Sequence, residues 1–361
     1  MIRTLTAHWT AVVPILAVVA LAATWGRSLP GVVGAVVGLA LVGAVLAAVY
    51  HAEVVAHRVG EPLGALVLAV AVTVIEVGLI VTLMISGGEG SETLARDTVF
   101  AAVMITCNGI FGLSLLVGAL RRRVAFFNAE GTGAALATVA TLATLCLVLP
   151  TFTTTKPGPE FTSGQLAFAG VCSLALYGLF VMVQTVRHPD DFLPVEEAGA
   201  QADEPAAPPT TREALRSLGL LLVALVSVVG LAKTLSPSIE SGIASAGLPH
   251  SAVGVVIALL VLLPETLAAV RAARRDQVQI SLNLALGSAM ASIGLTIPSI
   301  ALATIWLKGP LVLGLGATQM VLLALTVVVG VLTVVPGRAT LLQGGVHLAV
   351  FSAFVFLAAS P

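Results

Sequence analysis

Charge is scarce in this 361-residue chain: 17 Lys and Arg and 18 Asp and Glu make up 10% of it, against 58% apolar residues. A soluble domain carries roughly 25% charged residues, so no water-soluble fold of this size accommodates the balance. There is no basic tract interleaved with aromatics, which sets nucleic acid aside as a partner. The three cysteines, Cys107, Cys146 and Cys172, lie apart in apolar runs, with no C-x-x-C pair or His/Cys cluster at metal spacing, and read as small packing residues. A phosphate-binding G-x-x-x-x-G-K-[ST] loop is missing, which argues against direct ATP drive. An H-E-x-x-H motif or a nucleophile–base pair within the apolar runs is missing too, which argues against an intramembrane enzyme.

What is present is length of apolar run. Leu63 to Ser86 is broken only by Glu76, and Leu311 to Val335 holds no charge. Each reaches the ~20 residues a helix needs to cross a bilayer. The runs are continuous rather than alternating, so they are helices and not barrel strands. The expected fold is an all-α polytopic membrane protein of about 11 transmembrane helices, near 10–26, 30–50, 63–86, 98–120, 132–150, 164–186, 215–235, 251–271, 281–306, 310–335 and 340–359. Arg3 and the apolar stretch Ala11 to Ala23 also resemble a signal peptide, but a retained first helix is the expectation for a chain with so many further spans.

Lys and Arg alternate in density between successive loops. Twelve, among them Arg58, Arg121 to Arg123, Arg271 and Arg338, fall at the N-terminus and after even-numbered spans, against Arg27, Arg96, Lys156, Lys233 and Lys308 on the other side. The richer side is the cytoplasmic one by the positive-inside rule, which places the N-terminus there. His188 to Arg212 is polar, with Asp190, Asp191, Glu196, Glu197, Asp203 and Glu204, includes Pro205, Pro208 and Pro209, and reads as a solvated, disordered linker. The expected division is 1–27, a peripheral first helix; 28–187, a first five-helix repeat; 188–214, an acidic cytoplasmic linker; and 215–361, a second five-helix repeat. Five spans on each side of the linker must enter from opposite faces, the layout of an inverted repeat. Ala65 to Val70 leading to Glu76 parallels Gly254 to Leu259 leading to Glu265, each in the second span of its unit.

Those two glutamates are the acidic residues that lie deep in apolar helices without a basic neighbour at three or four positions. A charge at the bilayer centre costs about 3 kcal/mol on insertion scales, so such residues face a polar cavity and bind an ion or a proton. A protonated glutamate hydrogen-bonded between helices is the plainer reading of one such residue, and two at equivalent places make it poorer. A carboxylate pair at a repeat interface raises its own proton affinity by repulsion and desolvation, and a hard cation displaces those protons. Competition at one site with alternating access is a cation/proton exchange mechanism.

The span after each glutamate holds Thr106, Asn108, Gly109 and Gly112 in one unit, and Gly287, Ser288, Ser292, Gly294 and Thr296 in the other. Asn108, Ser288 and Ser292, with Thr73 before Glu76, could supply neutral oxygens, as could carbonyls freed by a distorted helix; tight packing of small residues explains the same pattern. Pro264 costs one backbone hydrogen bond beside Glu265. His51, Glu53, His57 and Glu61 read as a solvated loop before the Glu76 helix, and His347 and Gln343 as a helix contact ahead of a cavity lining.

His51-Ala52-Glu53, Gly60-Glu61-Pro62 through Val74-Ile75-Glu76-Val77, Arg96-Asp97-Thr98, Leu262-Leu263-Pro264-Glu265, Asp276 to Gln279, Ser281 to Ser288, Gly337-Arg338 and His347-Leu348-Ala349 together resemble the cation/proton exchanger (CAX) family of the Ca²⁺/cation antiporter superfamily, in its bacterial ChaA-like branch. The resemblance covers nearly the whole chain. It implies one peripheral helix plus two inverted five-helix repeats in the bacterial plasma (inner) membrane, with essential glutamates at Glu76 and Glu265 and neighbouring polar residues at Asn108 and Ser288. It implies export of Ca²⁺, Na⁺ or K⁺ against entering H⁺; a cation channel without proton coupling is the alternative. No cofactor is expected beyond the transported ions. The partners are inorganic cations, protons and the lipid bilayer, and a homo-oligomer is left open. The chain departs from the family's G-N-x-x-E pattern at Thr73 and Leu262, and from the histidine that often follows the second glutamate at Thr266. Two missing amide oxygens weaken a Ca²⁺ cage of six to eight ligands and leave monovalent cations or low-affinity Ca²⁺ open.

Overall fold

The structure is a computed structural model that describes residues 2–27, 29, 31–60, 63–86, 90–194, 209–306 and 309–360. Helices dominate it. We label them α1 Ile2–Thr24, α2 Gly31–Val59, α3 Leu63–Ser86, α4 Ser91–Arg122, α5 Ala129–Phe152, α6 Ser163–Arg187, α7 Thr211–Ser245, α8 Ala252–Arg274, α9 Val278–Ala303, α10 Ala317–Val334 and α11 Leu341–Ala359. Ten are long and apolar enough to cross a membrane, and the apolar part of α1, Trp9–Thr24, is shorter. Two two-residue strands, β1 Ala125–Phe126 and β2 Arg338–Ala339, pair antiparallel.

Each expected span contains a helix, but several ends differ. Helix α2 runs on to Val59, so His51, Glu53 and His57 are helical rather than in a loop, and His51 is only 3% exposed. Nothing between Tyr50 and Val59 breaks a helix; the stop comes at Gly60, whose φ of +76° suits glycine and whose N–H caps the Ala56 carbonyl at 2.9 Å. Helix α7 likewise continues ten residues past the expected 235, through Pro237. Helix α10 starts late, at Ala317, because Gly309, Pro310, Gly314 and Gly316 keep the preceding segment extended. Of the expected linker, residues 195–208 lie outside the described residues, as do Glu61, Pro62 and Lys308. Its start is ordered: Pro189–Phe192 forms a 3₁₀ turn, and Phe192 is buried edge-on against Phe180, with ring centroids 5.6 Å apart. An apolar side chain inside the polar stretch anchors its first residues.

Contacts gather the chain into two compact units, Met1–Ser91 with Glu204–Val253, and Glu92–Asp203 with Gly254–Pro361. In the first, α2 lies along α7, and α1 and α3 each touch both. Small residues set this packing: a Cβ added at Gly78 of α3 would meet Val229 of α7 at 2.6 Å, so glycine permits the approach.

In the second unit α4 is the core. Every residue from Leu94 to Asn108 except Arg96 is buried, and α9, α10 and α11 pack around it. Polar ties close both ends of this unit. At one end β1 pairs with β2, Arg122 meets Asp276 at 3.3 Å, and the Asn128 N–H donates to Gln279 Oε1 at 2.6 Å. At the other, Val312 N–H donates to the Glu92 carbonyl at 3.0 Å, Gly314 N–H to the Pro159 carbonyl at 3.0 Å, and the Thr151 hydroxyl to the Leu315 carbonyl at 2.9 Å. The loops joined at each end are those that the alternation of basic residues assigns to one side of a membrane.

Candidate ion-binding site

Each candidate carboxylate sits at the same place in its helix. Counted from Leu63 and from Ala252, Glu76 and Glu265 are both fourteenth, in helices of 24 and 23 residues. At ~1.5 Å per residue that is near the middle of a membrane-crossing helix. In the first unit Glu76 is 3% exposed, and Thr73, one turn earlier on the same face, is 7% exposed, while Val70 and Val74 look outward. The amphipathic split of α3 thus turns its carboxylate inward.

In the second unit Glu265 is half-buried, and its Oε2 has no access to solvent. Pro264 has no N–H to give the Leu260 carbonyl one turn back, so that oxygen loses its helical donor. The Thr266 hydroxyl donates to the Leu262 carbonyl at 2.7 Å, bending its single proton back into the helix.

Asn108 lies in a π-helical stretch of α4, Ile105–Ile110, the distorted backbone that its glycine neighbour suggested. Such single-turn π segments recur at functional sites because one inserted residue re-aims the side chains after it. Asn108 is fully buried, and its amide donates from Nδ2 to Thr326 Oγ1 of α10 at 2.9 Å, while its Oδ1 lies 3.2 Å from His347 Nδ1 of α11. His347 Nε2 lies 3.2 Å from Thr333 Oγ1, and the ring packs against Phe111 at 4.9 Å. His347 therefore makes the helix contact expected of it. Gln343 does not line a cavity: it accepts the Thr340 N–H at 2.8 Å and caps α11.

Ser288 and Ser292 lie one turn apart on α9. Ser292 is buried and Ser288 half-buried, next to Gly287, where a Cβ would meet nothing within 4 Å. Two turns earlier, Ser281 ties three helices: it is fully buried, bonds Ser114 of α4 and donates to the Ala269 carbonyl of α8 at 2.7 Å. The structure brings Asn108 to His347 and Thr326, and His347 in turn to Thr333. Thr73 and Glu76 belong to the other compact unit. Among the described residues no group of three or more His, Cys, Asp or Glu gathers as a metal cluster.

Asp97 is the polar centre that sequence reasoning passed over. It is 5% exposed, pairs with Arg96 Nε at 2.8 Å, and accepts from Thr93 Oγ1 at 2.9 Å and Gln319 Nε2 at 3.3 Å. Its signal was the Arg96-Asp97-Thr98 triplet, which looked like the edge of a span because α4 was expected to begin at 98; the helix begins at Ser91 and takes the pair inside.

The family described as "Sodium/calcium exchanger protein" matches residues 10–186 and 216–359. A Sinorhizobium fredii protein provisionally named ionic transporter y4hA is 48% identical over 356 residues, covering 98% of this chain and 96% of the relative. The Sodium-potassium/proton antiporter ChaA of Escherichia coli is 35% identical over 348 residues, 95% of this chain and 93% of ChaA. Among solved structures, native YfkE superposes with a TM-score of 0.72 at 16% identity, covering 97% of this chain and 98% of YfkE, a likeness of fold.

Proposed function

This chain belongs to the sodium/calcium exchanger protein family, and we propose that it is a secondary active antiporter that exports Na⁺, K⁺ or Ca²⁺ across the bacterial inner membrane in exchange for entering protons. The observation that carries the reading is the placement of Glu76 and Glu265 at one register in two mid-membrane helices. The antiporter function named for the 35% identical relative supports exchange over a channel. The N-terminus is cytoplasmic on this reading, from twelve basic residues against five. The two five-helix repeats, 28–187 and 215–361, alternate access, with 1–27 peripheral and 188–214 as the linker between them.

Glu76 and Glu265 hold the ion and, in its absence, protons. Both carboxylates must be ionised to bind a cation, and leaving both ionised without one is costly in a low-dielectric site. Cation entry therefore releases protons, and proton entry expels the cation. Thr73, Asn108, Ser288 and Ser292 add neutral oxygens. With Thr73 and Leu262 in place of two amides, the site has fewer strong ligands for Ca²⁺, which favours Na⁺ and K⁺, as in the relative's name.

The test is collapse of an imposed ΔpH in vesicles by Ca²⁺, Na⁺ and K⁺ in turn, for the natural chain and for Glu76→Gln and Glu265→Gln. The natural chain dissipates the gradient with at least one ion and each variant does not. Undiminished exchange in both variants overturns the reading, and cation current without proton movement replaces it with a channel.

A further inference from the structure

The hydrogen bonds around Asn108 fix which way its amide points, although the two ends of an amide look alike in shape. Thr326 Oγ1 lies 2.8 Å from the Leu322 carbonyl. Two oxygens at that distance need a proton between them, and only the hydroxyl has one. Thr326 has then spent its donor, so toward Asn108 it can only accept, which turns the Asn108 NH₂ to Thr326 and the Asn108 oxygen to His347. An amide oxygen only accepts, so His347 carries a proton on Nδ1. Thr333 lies at Nε2, and the Cys107 carbonyl also accepts from the ring.

We propose that His347 is a positioning residue for ion exchange: its Nδ1–H holds one lone pair of the Asn108 oxygen and leaves the other lone pair aimed for the transported cation. The inference rests on the reading above that Asn108 is a cation ligand. A carbonyl oxygen has two lone pairs, so it can accept the imidazole proton and meet a cation at once. Partners of this kind, one bond removed from a ligand, typically alter affinity 10–100-fold when removed. The setting makes His347 suited to the task. It is 1% exposed, wedged where Gly112 of α4 lets α11 approach, since a Cβ there would meet the His347 Cβ at 2.8 Å. The π-helical turn presents Asn108 to it across α4. Among the described residues the ring bonds the Asn108 amide, Thr333 and the Cys107 carbonyl and no carboxylate, so the imidazole serves neutral groups rather than an ion pair.

The test compares a variant that keeps the donor with one that keeps the bulk. In His347→Asn, the side-chain NH₂ can take the place of Nδ1–H; His347→Leu fills the space without a donor. Exchange is measured in vesicles with whichever of Na⁺, K⁺ and Ca²⁺ the natural chain transports, giving KM and maximal rate, alongside the melting temperature in detergent. We expect His347→Leu to raise KM at least tenfold with the maximal rate within a factor of about three, and His347→Asn to stay within about threefold of the natural KM although it melts lower. A merely structural histidine gives the reverse order, with Asn worse than Leu in both readouts, and that result overturns the proposal. Thr326→Val, which frees the amide to turn over, raises KM in the same way and carries the test if His347→Leu does not insert. The double variant His347→Leu with Asn108→Ala adds nothing to the KM of Asn108→Ala alone. If Asn108→Ala raises KM and His347→Leu does not, only the positioning role fails. If Asn108→Ala leaves KM unchanged, Asn108 is no ligand and the inference falls with it.

Discussion

Helices α4 and α9 follow the two glutamate helices in the chain, and they differ in how their polar residues are held. Asn108 on α4 is fully buried, both ends of its amide are engaged, and the backbone beneath it is π-helical. On α9, Ser288 is half-buried beside the unfilled space at Gly287, and the helix is regular until it breaks at Leu295. The glutamates differ in the same sense, Glu76 being deeply buried and Glu265 half-buried behind a proline. The two carboxylates thus share a register in their helices while their burial differs. In the exchange proposed above, the pair Glu76 and Asn108 would be the tight half, and the pair Glu265 and Ser288, with its more exposed polar groups, the open or compliant half.

The largest effect should fall where the halves are alike. Glu76→Gln and Glu265→Gln each remove one charge that a cation must neutralise, and each should lower the exchange rate at least 100-fold. A variant that kept a tenth of the rate would show that one half alone carries the ion.

Next comes Asp97, which belongs only to the tight half. Replacing it by Asn leaves Arg96 without its carboxylate and weakens the bonds from Thr93 and Gln319. Removing one member of a buried pair costs about 3 kcal/mol, and the chemical-denaturation midpoint of the detergent-solubilised protein should fall accordingly. Exchange by the surviving folded protein should keep its KM, because Asp97 lies eleven residues before Asn108 on α4.

Comparison of Asn108→Ala with Ser288→Ala sharpens the contrast further. Both should raise KM for the transported ion, Asn108→Ala about tenfold and Ser288→Ala about threefold. Only Asn108→Ala should also destabilise, by about 2 kcal/mol, because it removes a buried amide bonded to both Thr326 and His347. Thermal unfolding beside transport kinetics separates the two effects.

The legible parts of this molecule were those that hydropathy controls. All eleven helices follow from apolar runs, since lipid forces a helix on any segment that must cross it. Helix ends were less legible, because hydropathy finds the edge of the lipid and the backbone stops at the first residue that disfavours the helix: α2 runs nine residues past the expected limit, to Gly60. Glu76, Glu265 and Asn108 stood out as polar residues in apolar runs. The partners of Asn108 did not, because Thr326 and His347 lie more than 200 residues away and no sequence period joins them to it. Asp97 was hidden for a different reason: an adjacent arginine makes a buried pair look like the polar border of a span.

Pro264 gives the smallest expected effect and probes the open half most directly. Alanine at this position restores an N–H that can bond the Leu260 carbonyl, which proline leaves without its helical donor. If that carbonyl is only a by-product of a kink, Pro264→Ala should stabilise α8 and leave transport as it was, since proline is costly in a helix interior. If the free oxygen contributes to the ion path beside Glu265, the same change should raise the melting temperature while raising KM about two- to threefold. Opposite movements of stability and affinity in one variant would show that the compliant half gives up helix stability for an oxygen near its carboxylate, whereas a matching variant on the tight side has no proline to remove, because α3 reaches Glu76 without one.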